Sequence, residues 1–96
     1  MRIKEFQDLM RKIYYERDSR RGIERTYMWL VEEVGELGRA ILKGSSEEAS
    51  LEAGDVFAWL CSLCNLLGID LEEAVKKKYP GYCPRCKSIP CRCKEV

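Results

Sequence analysis

The feature that most constrains this chain is a helical period of apolar residues between Leu30 and Leu67, broken once by Gly44-Ser45-Ser46. At about 100° per residue Leu30, Val34, Leu37 and Ile41 share one stripe, and beyond the break Val56, Leu60, Leu63 and Leu67 share another. Gly44 suits the left-handed position that follows a helix end. Ser45, with Glu48 three residues on, reads as a capping box that starts a new helix. The stretch therefore reads as a hairpin of two antiparallel helices. Beside the first stripe stand Trp29, Glu33, Glu36 and Ala40; beside the second stand Glu52, Asp55, Trp59 and Ser62. Glu33 with Glu36, and Glu52 with Asp55, are i, i+3 pairs that project as neighbours from one face. Glu32 points further away, towards solvent.

Antiparallel helices can bring these four carboxylates together. Gathered like charges repel, and a cation makes the arrangement favourable. Several hard oxygen ligands favour Mg²⁺, with Mn²⁺ as a substitute, and these ions usually carry phosphate substrates. Each acidic pair has a tryptophan one turn away. Acids beside flat aromatic surface suit a ligand with a polyanionic end and a planar end, as in a nucleoside triphosphate. The plain alternatives are solvated acids on helix surfaces, and tryptophans packed between helices or subunits.

The rest of the chain is helical too. Ile3, Phe6, Leu9, Met10 and Ile13 give one face of a first helix running to about Arg17. The connection Asp18-Ser19-Arg20-Arg21-Gly22 reads as basic and flexible. Arg20 or Arg21 there could meet a substrate's charge, although a solvated loop is the preferred reading. The hairpin helices span roughly Ile23 to Lys43 and Ser46 to Leu67. Gly68 ends the latter, and Asp70 with Glu73 caps a short fourth helix from Leu71 to about Lys78. Strand signals are absent, so the fold class is all-α, with four helices over residues 1–80 and a short tail over 81–96.

At 96 residues the chain buries only a modest share of its surface. Helices this apolar call for a partner copy, as a homodimer or homotetramer. The absence of histidine excludes a Ser-His or Cys-His nucleophile and any histidine-ligated metal. A net charge of +1 argues against a general polyanion-binding surface, nucleic acid included. No apolar run approaches the roughly 20 residues of a membrane span. Met1–Gln7 lacks the apolar core of a signal peptide. The cytoplasm is the expected compartment.

Trp29-Leu-Val-Glu-Glu-Val-Gly-Glu-Leu37, followed by Leu51-Glu-Ala-Gly-Asp-Val-Phe-Ala-Trp-Leu60, resembles the MazG family of all-α nucleoside triphosphate pyrophosphohydrolases. That family carries E-x-x-E, a spacer and E-x-x-D, matched here by Glu33, Glu36, Glu52 and Asp55. The downstream Asn65-Leu-Leu-Gly-Ile-Asp-Leu-Glu-Glu-Ala-Val75 is also typical of it. The likeness runs from about Ile3 to Tyr79. It implies Mg²⁺-dependent cleavage between the α and β phosphates of standard or damaged nucleotides, giving a monophosphate and pyrophosphate. It implies that Glu33, Glu36, Glu52 and Asp55 hold the metal and form the catalytic set. Trp29 and Trp59 are then candidates for stacking on a base. Asn65 could hydrogen-bond a sugar or base, or else cap or solvate a helix. Lys78-Tyr79 resembles the family's Lys-aromatic step, which contacts phosphates, although Lys76-Lys77-Lys78 also simply suits a helix C-terminus. The arginines that commonly follow that step are absent. Phosphoribosyl-ATP pyrophosphohydrolase shares the same metal logic and would change the substrate.

The tail reads Tyr82-Cys-Pro-Arg-Cys-Lys-Ser-Ile-Pro-Cys-Arg-Cys93. Cys83 and Cys86 form C-x-x-C, and Cys91 and Cys93 form C-x-C. The first pair, with its proline, resembles the knuckle of zinc ribbons. Four thiolates fill a structural zinc site with no open position. Disulfides, free or redox thiols, and rubredoxin-like iron are the alternatives. A zinc-binding interaction module on a non-catalytic helical scaffold is the reading from a different functional class. Cys61 and Cys64 form a further C-x-x-C within a helix, where small buried hydrophobes are the favoured reading.

Overall fold

The computed structural model describes residues 1–95. Its four helices are α1 (Ile3–Arg21), α2 (Ile23–Lys43), α3 (Ser46–Leu67) and α4 (Leu71–Lys78), with no strand among the described residues. The chain is therefore all-α, as its apolar periodicity predicts.

One boundary differs from expectation. Helix α1 runs past Arg17 to Arg21, so the predicted flexible connection is its last turn, and Gly22 alone separates it from α2. The cause is an ion pair inside that turn. Asp18 is buried and accepts a hydrogen bond from Arg21 Nη1 at 2.8 Å. Arg21 also donates to Thr26 Oγ1, and Thr26 donates to the Gly22 carbonyl at 2.7 Å. Gly22 turns the corner at φ 91°, a conformation that an L side chain rarely adopts.

The hairpin between α2 and α3 forms where the Gly44-Ser45 break predicts it. Gly44 is left-handed at φ 79°. Ser45 Oγ accepts from the Glu48 backbone N–H at 3.2 Å, which caps α3. The reciprocal half of the box is absent, because the Glu48 carboxylate turns to Lys43 Nζ at 3.0 Å. Gly68 ends α3 at φ 70°, and Asp70 caps α4 by accepting from the Glu73 N–H at 3.1 Å.

Helix α3 packs on both α2 and α1, and the core gathers at its C-terminal half. Cys61, Leu63 and Cys64 are buried there, with Met10 of α1 and Thr26 and Ala40 of α2 also buried. Cys61 and Cys64 thus behave as small core residues, and burial pushes the Cys61 thiol up to about 11. The predicted stripes are only partly covered. Val34 is 50 % exposed, Ile41 61 % and Leu67 46 %. The chain is too open to enclose them: its radius of gyration is 15.7 Å, against about 12.5 Å for a compact chain of this length.

Polar contacts dock the α3–α4 turn on α1. Asn65 donates to the Gln7 carbonyl at 3.1 Å and accepts from Gln7 Nε2 at 3.0 Å. Gln7 also reaches the Ile69 carbonyl at 2.7 Å and the Leu71 N–H at 2.9 Å. Glu72 is buried against Arg2 and the Lys4 backbone N–H. Among the described residues no single helix is long and apolar enough to cross a membrane.

Candidate active site

The antiparallel hairpin sets Glu33 of α2 against Glu52 and Asp55 of α3. Each offers a carboxylate oxygen, and these oxygens lie within 4.8 Å of one another. Glu33 and Glu52 are half-buried, and Asp55 is exposed. Burial first, then the charges of Asp55 and Glu52, hold the Glu33 carboxyl above its ordinary range. Glu52 Oε2 is buried without a hydrogen-bond partner. Such an orphaned acceptor costs roughly 1–3 kcal/mol, and more when charged. A cation bound among these oxygens would supply the missing interaction and remove the repulsion. The all-oxygen, carboxylate-rich donor set suits Mg²⁺ or Mn²⁺. The residues present therefore fit a hard divalent ion.

Glu36, the fourth predicted acid, stands outside this three-oxygen group. It is one turn on from Glu33 and turns to form an ion pair with Arg39. It remains close enough to contribute to the shift at Glu33. Glu32 is exposed, in keeping with a solvated position.

Two cavities flank the acids. One, of about 510 Å³, is lined by Glu36 and Glu52 together with Arg39 and Lys43. The other, of about 290 Å³, is lined by Asp55, Trp59 and Ser62 together with Tyr14, Asp18 and Arg21. The carboxylates thus separate a cavity edged by Arg39 and Lys43 from one edged by the rings of Tyr14 and Trp59 together with Arg17 and Arg21.

Trp29 and Trp59 stack on each other, and the Arg21 guanidinium lies 4.7 Å from the centre of the Trp59 ring. Trp59 lines the aromatic cavity, whereas Trp29 does not. Asn65 lies ten residues beyond Asp55 on α3, about 15 Å along the axis, where its amide is engaged by Gln7. Lys78 is exposed in the last turn of α4. Neither Asn65 nor Lys78 lines the two cavities.

The structure adds two residues that the sequence does not place near the acids, Asp18 and Arg39, and sets Arg21, a candidate to meet the substrate's charge, in the cavity of Asp55 and Trp59. A signal for them existed. Asp18 with Arg21, and Glu36 with Arg39, are opposite charges at i, i+3 on a helix. In a loop, which the composition around Asp18 predicts, that spacing carries no meaning.

The tail forms a separate cluster. Cys83, Cys86, Cys91 and Cys93 each offer a sulfur within 4.8 Å of the others, and none is in a disulfide. The Arg92 backbone N–H donates to Cys86 Sγ at 3.2 Å, and the Cys93 N–H to Cys91 Sγ at 3.3 Å. The Arg92 N–H is the main reason the Cys86 thiol is lowered to about 6. Cys93 is pushed up to about 12, chiefly by its side-chain hydrogen bond with Cys91.

Residues 21–87, more than half of the chain, match a family model described as the MazG nucleotide pyrophosphohydrolase domain. The matched segment contains all four acids of the hairpin and the first cysteine pair of the tail. No curated protein matches the chain.

Proposed function

Because this chain belongs to the MazG family of nucleotide pyrophosphohydrolase domains, we propose that it hydrolyses nucleoside triphosphates, standard or damaged, to the monophosphate and pyrophosphate. The observation that carries this reading is the group of carboxylate oxygens of Glu33, Glu52 and Asp55, with the unpartnered Glu52 Oε2 beside it.

In this reading Glu33, Glu52 and Asp55 hold Mg²⁺, with Mn²⁺ able to replace it. When bound, the ion opposes the phosphate charge and lowers the pKa of the water it polarises. Arg39 and Lys43 line the cavity beside Glu36 and Glu52, where they meet the two phosphates that leave. In the free chain both cations are paired, Arg39 with Glu36 and Lys43 with Glu48. A phosphate can displace those carboxylates, which frees Glu36 to join the metal-binding set. The nucleoside end occupies the cavity of Asp55 and Trp59, where the indole offers flat apolar surface.

The reaction is an in-line substitution. A water oxygen forms a bond to the α-phosphorus, the bond from that phosphorus to the bridging oxygen breaks, and pyrophosphate departs with the electron pair. A carboxylate of the set takes the water's proton.

A homodimer or homotetramer belongs to the same reading. Tyr27, Met28, Val31 and Val34 of α2 are each at least half exposed, and a second copy would cover them.

Product analysis tests the reaction. The protein is incubated with Mg²⁺ and a panel of ribo- and deoxyribonucleoside triphosphates, and the products are separated by ion exchange. Monophosphate plus pyrophosphate, absent with Asp55→Asn, is the expected result. Diphosphate plus phosphate would keep the metal site and overturn the choice of bond. No turnover of any triphosphate, with metal bound, would move the reading to a special substrate such as phosphoribosyl-ATP.

A further inference from the structure

The nucleotide reaction leaves the cysteine tail unexplained. We infer that Cys83, Cys86, Cys91 and Cys93 hold a single Zn²⁺ in a closed tetrathiolate site that orders the tail and takes no part in hydrolysis.

The first argument is the spacing of the sulfurs. A tetrahedral site with Zn–S bonds of about 2.3 Å places its sulfurs about 3.8 Å apart along every edge. Cys83 Sγ and Cys93 Sγ, one from each end of the motif, lie 3.7 Å apart, and all four sulfurs lie within 4.8 Å of one another. Two disulfides would instead draw the sulfurs into two bonded pairs at about 2.0 Å. All four thiols are free.

The second argument is the backbone around them. The Lys87 N–H donates to the Cys83 carbonyl at 2.7 Å, and the Cys83 N–H donates to the Ser88 carbonyl at 3.1 Å. This tight turn sets Cys83 and Cys86 beside each other and leaves Lys87 at φ 60°. A non-glycine residue holds that conformation where its surroundings over-determine it. The Arg92 and Cys93 N–H groups aim at Cys86 and Cys91 sulfurs, the kind of outer-shell donation that supports a metal-bound thiolate.

The third argument is what else could order the segment. Among residues 81–95 none is buried and none is in a helix or strand. So short a stretch cannot offset its conformational entropy by burying apolar surface. In small thiolate sites, metal binding supplies the folding free energy. Binding expels the thiol protons and leaves a tetrathiolate dianion. Arg85, Lys87, Arg92 and Lys94 stand between or beside the ligands and offset that charge. No ligand position is left open, so the site is structural.

The test uses the full chain, purified without chelator. Metal content is measured by mass spectrometry and accessible thiols are titrated. The expected result is stoichiometric zinc, with tail thiols that react only after chelation. The double variant Cys83→Ser/Cys86→Ser should lose the zinc, and Asp55→Asn should keep it. Iron in place of zinc, metal-free protein with oxidised tail cysteines, or zinc retained by the double variant would each overturn the proposal. Nucleotide hydrolysis is followed in parallel. Its survival in the zinc-free double variant supports a purely structural site, and its loss with helicity unchanged overturns that part. Absence of hydrolysis in the unaltered, zinc-loaded chain would count against the nucleotide reading alone.

Discussion

Trp29 on α2 and Trp59 on α3 stack with ring centroids 6.1 Å apart and planes 22° from parallel. They stand one turn before Glu33 and one turn after Asp55, so the contact clamps the hairpin beside its acids. Offset aromatic pairs are worth about 0.5–1.5 kcal/mol beyond area burial. A double-mutant cycle of Trp29→Ala and Trp59→Ala should return a coupling of that size in urea unfolding. A coupling near zero would mean that the rings touch without holding the helices together. Trp59→Ala should also raise KM more than it lowers kcat, because the ring lines the cavity assigned to the nucleoside.

Removing a carboxylate from the cluster should separate stability from activity. Glu52→Gln and Asp55→Asn each delete a charge that repels its neighbours in the metal-free chain. Metal-free stability should rise by on the order of 0.5 kcal/mol, read as an upward shift in the urea midpoint. Turnover should fall by at least 10²–10³-fold as an order of magnitude, and Mn²⁺ binding by calorimetry should weaken with it. Glu36→Gln should also abolish turnover but weaken Mn²⁺ binding less, since Glu36 lies outside the three-oxygen group in the free chain. Equal loss of metal affinity in all three variants would put Glu36 in the same shell as the others.

The metal-free chain should lose stability as pH rises out of the acid range. Burial and the neighbouring acids raise the Glu33 carboxyl above its ordinary 4.5. Between 4.5 and that raised value the folded chain keeps a proton that the unfolded chain has released. Unfolding then releases a proton, so higher pH favours it across this window. Glu33→Gln should flatten that part of the profile, and saturating Mg²⁺ should reverse its slope by favouring the charged form. Thermal melts across the window, with and without Mg²⁺, provide the check.

The hairpin was legible because local chemistry decides it. Gly44 and Ser45 close one helix and open the next whatever surrounds them, and a period of 3.6 residues then fixes which faces Glu33, Glu52 and Asp55 share. The end of α1 was not legible. Asp18-Ser19-Arg20-Arg21 has the composition of a loop, and its helical form goes with a buried Asp18 paired to Arg21, which in turn reaches Thr26. How much of each apolar stripe one chain covers was not legible either. Val34 and Ile41 sit on the apolar stripe, but a three-helix layer without a second chain leaves them exposed. Asn65 shows the limit of reading one residue at a time, because its partner Gln7 lies 58 positions away.

The exposed apolar positions of α2 should mark an interface between copies. Tyr27, Val31 and Val34 lie at i, i+4 and i+7, which aligns them along one side of the helix, and Met28 stands beside them. Val31→Asp should lower the mass measured by light scattering to that of a single chain. A monomeric unaltered protein would show instead that these residues stay in water.

The corner between α1 and α2 should depend on Asp18. Its Oδ1 accepts from Arg21 at 2.8 Å, while Oδ2 is buried without a partner. Asp18→Ala removes a charge-assisted hydrogen bond and should cost roughly 1.5–3 kcal/mol in urea unfolding. It also frees the guanidinium that lies against Trp59, so KM for a triphosphate should rise in the same variant. Asp18→Asn keeps an acceptor for Arg21, but its amide nitrogen meets the same lack of partners that Oδ2 has. It should therefore recover only part of the stability. Full stability in Asp18→Ala would mean that Gly22 and the Thr26 hydroxyl hold the corner unaided, and that the helical last turn of α1 does not need the ion pair.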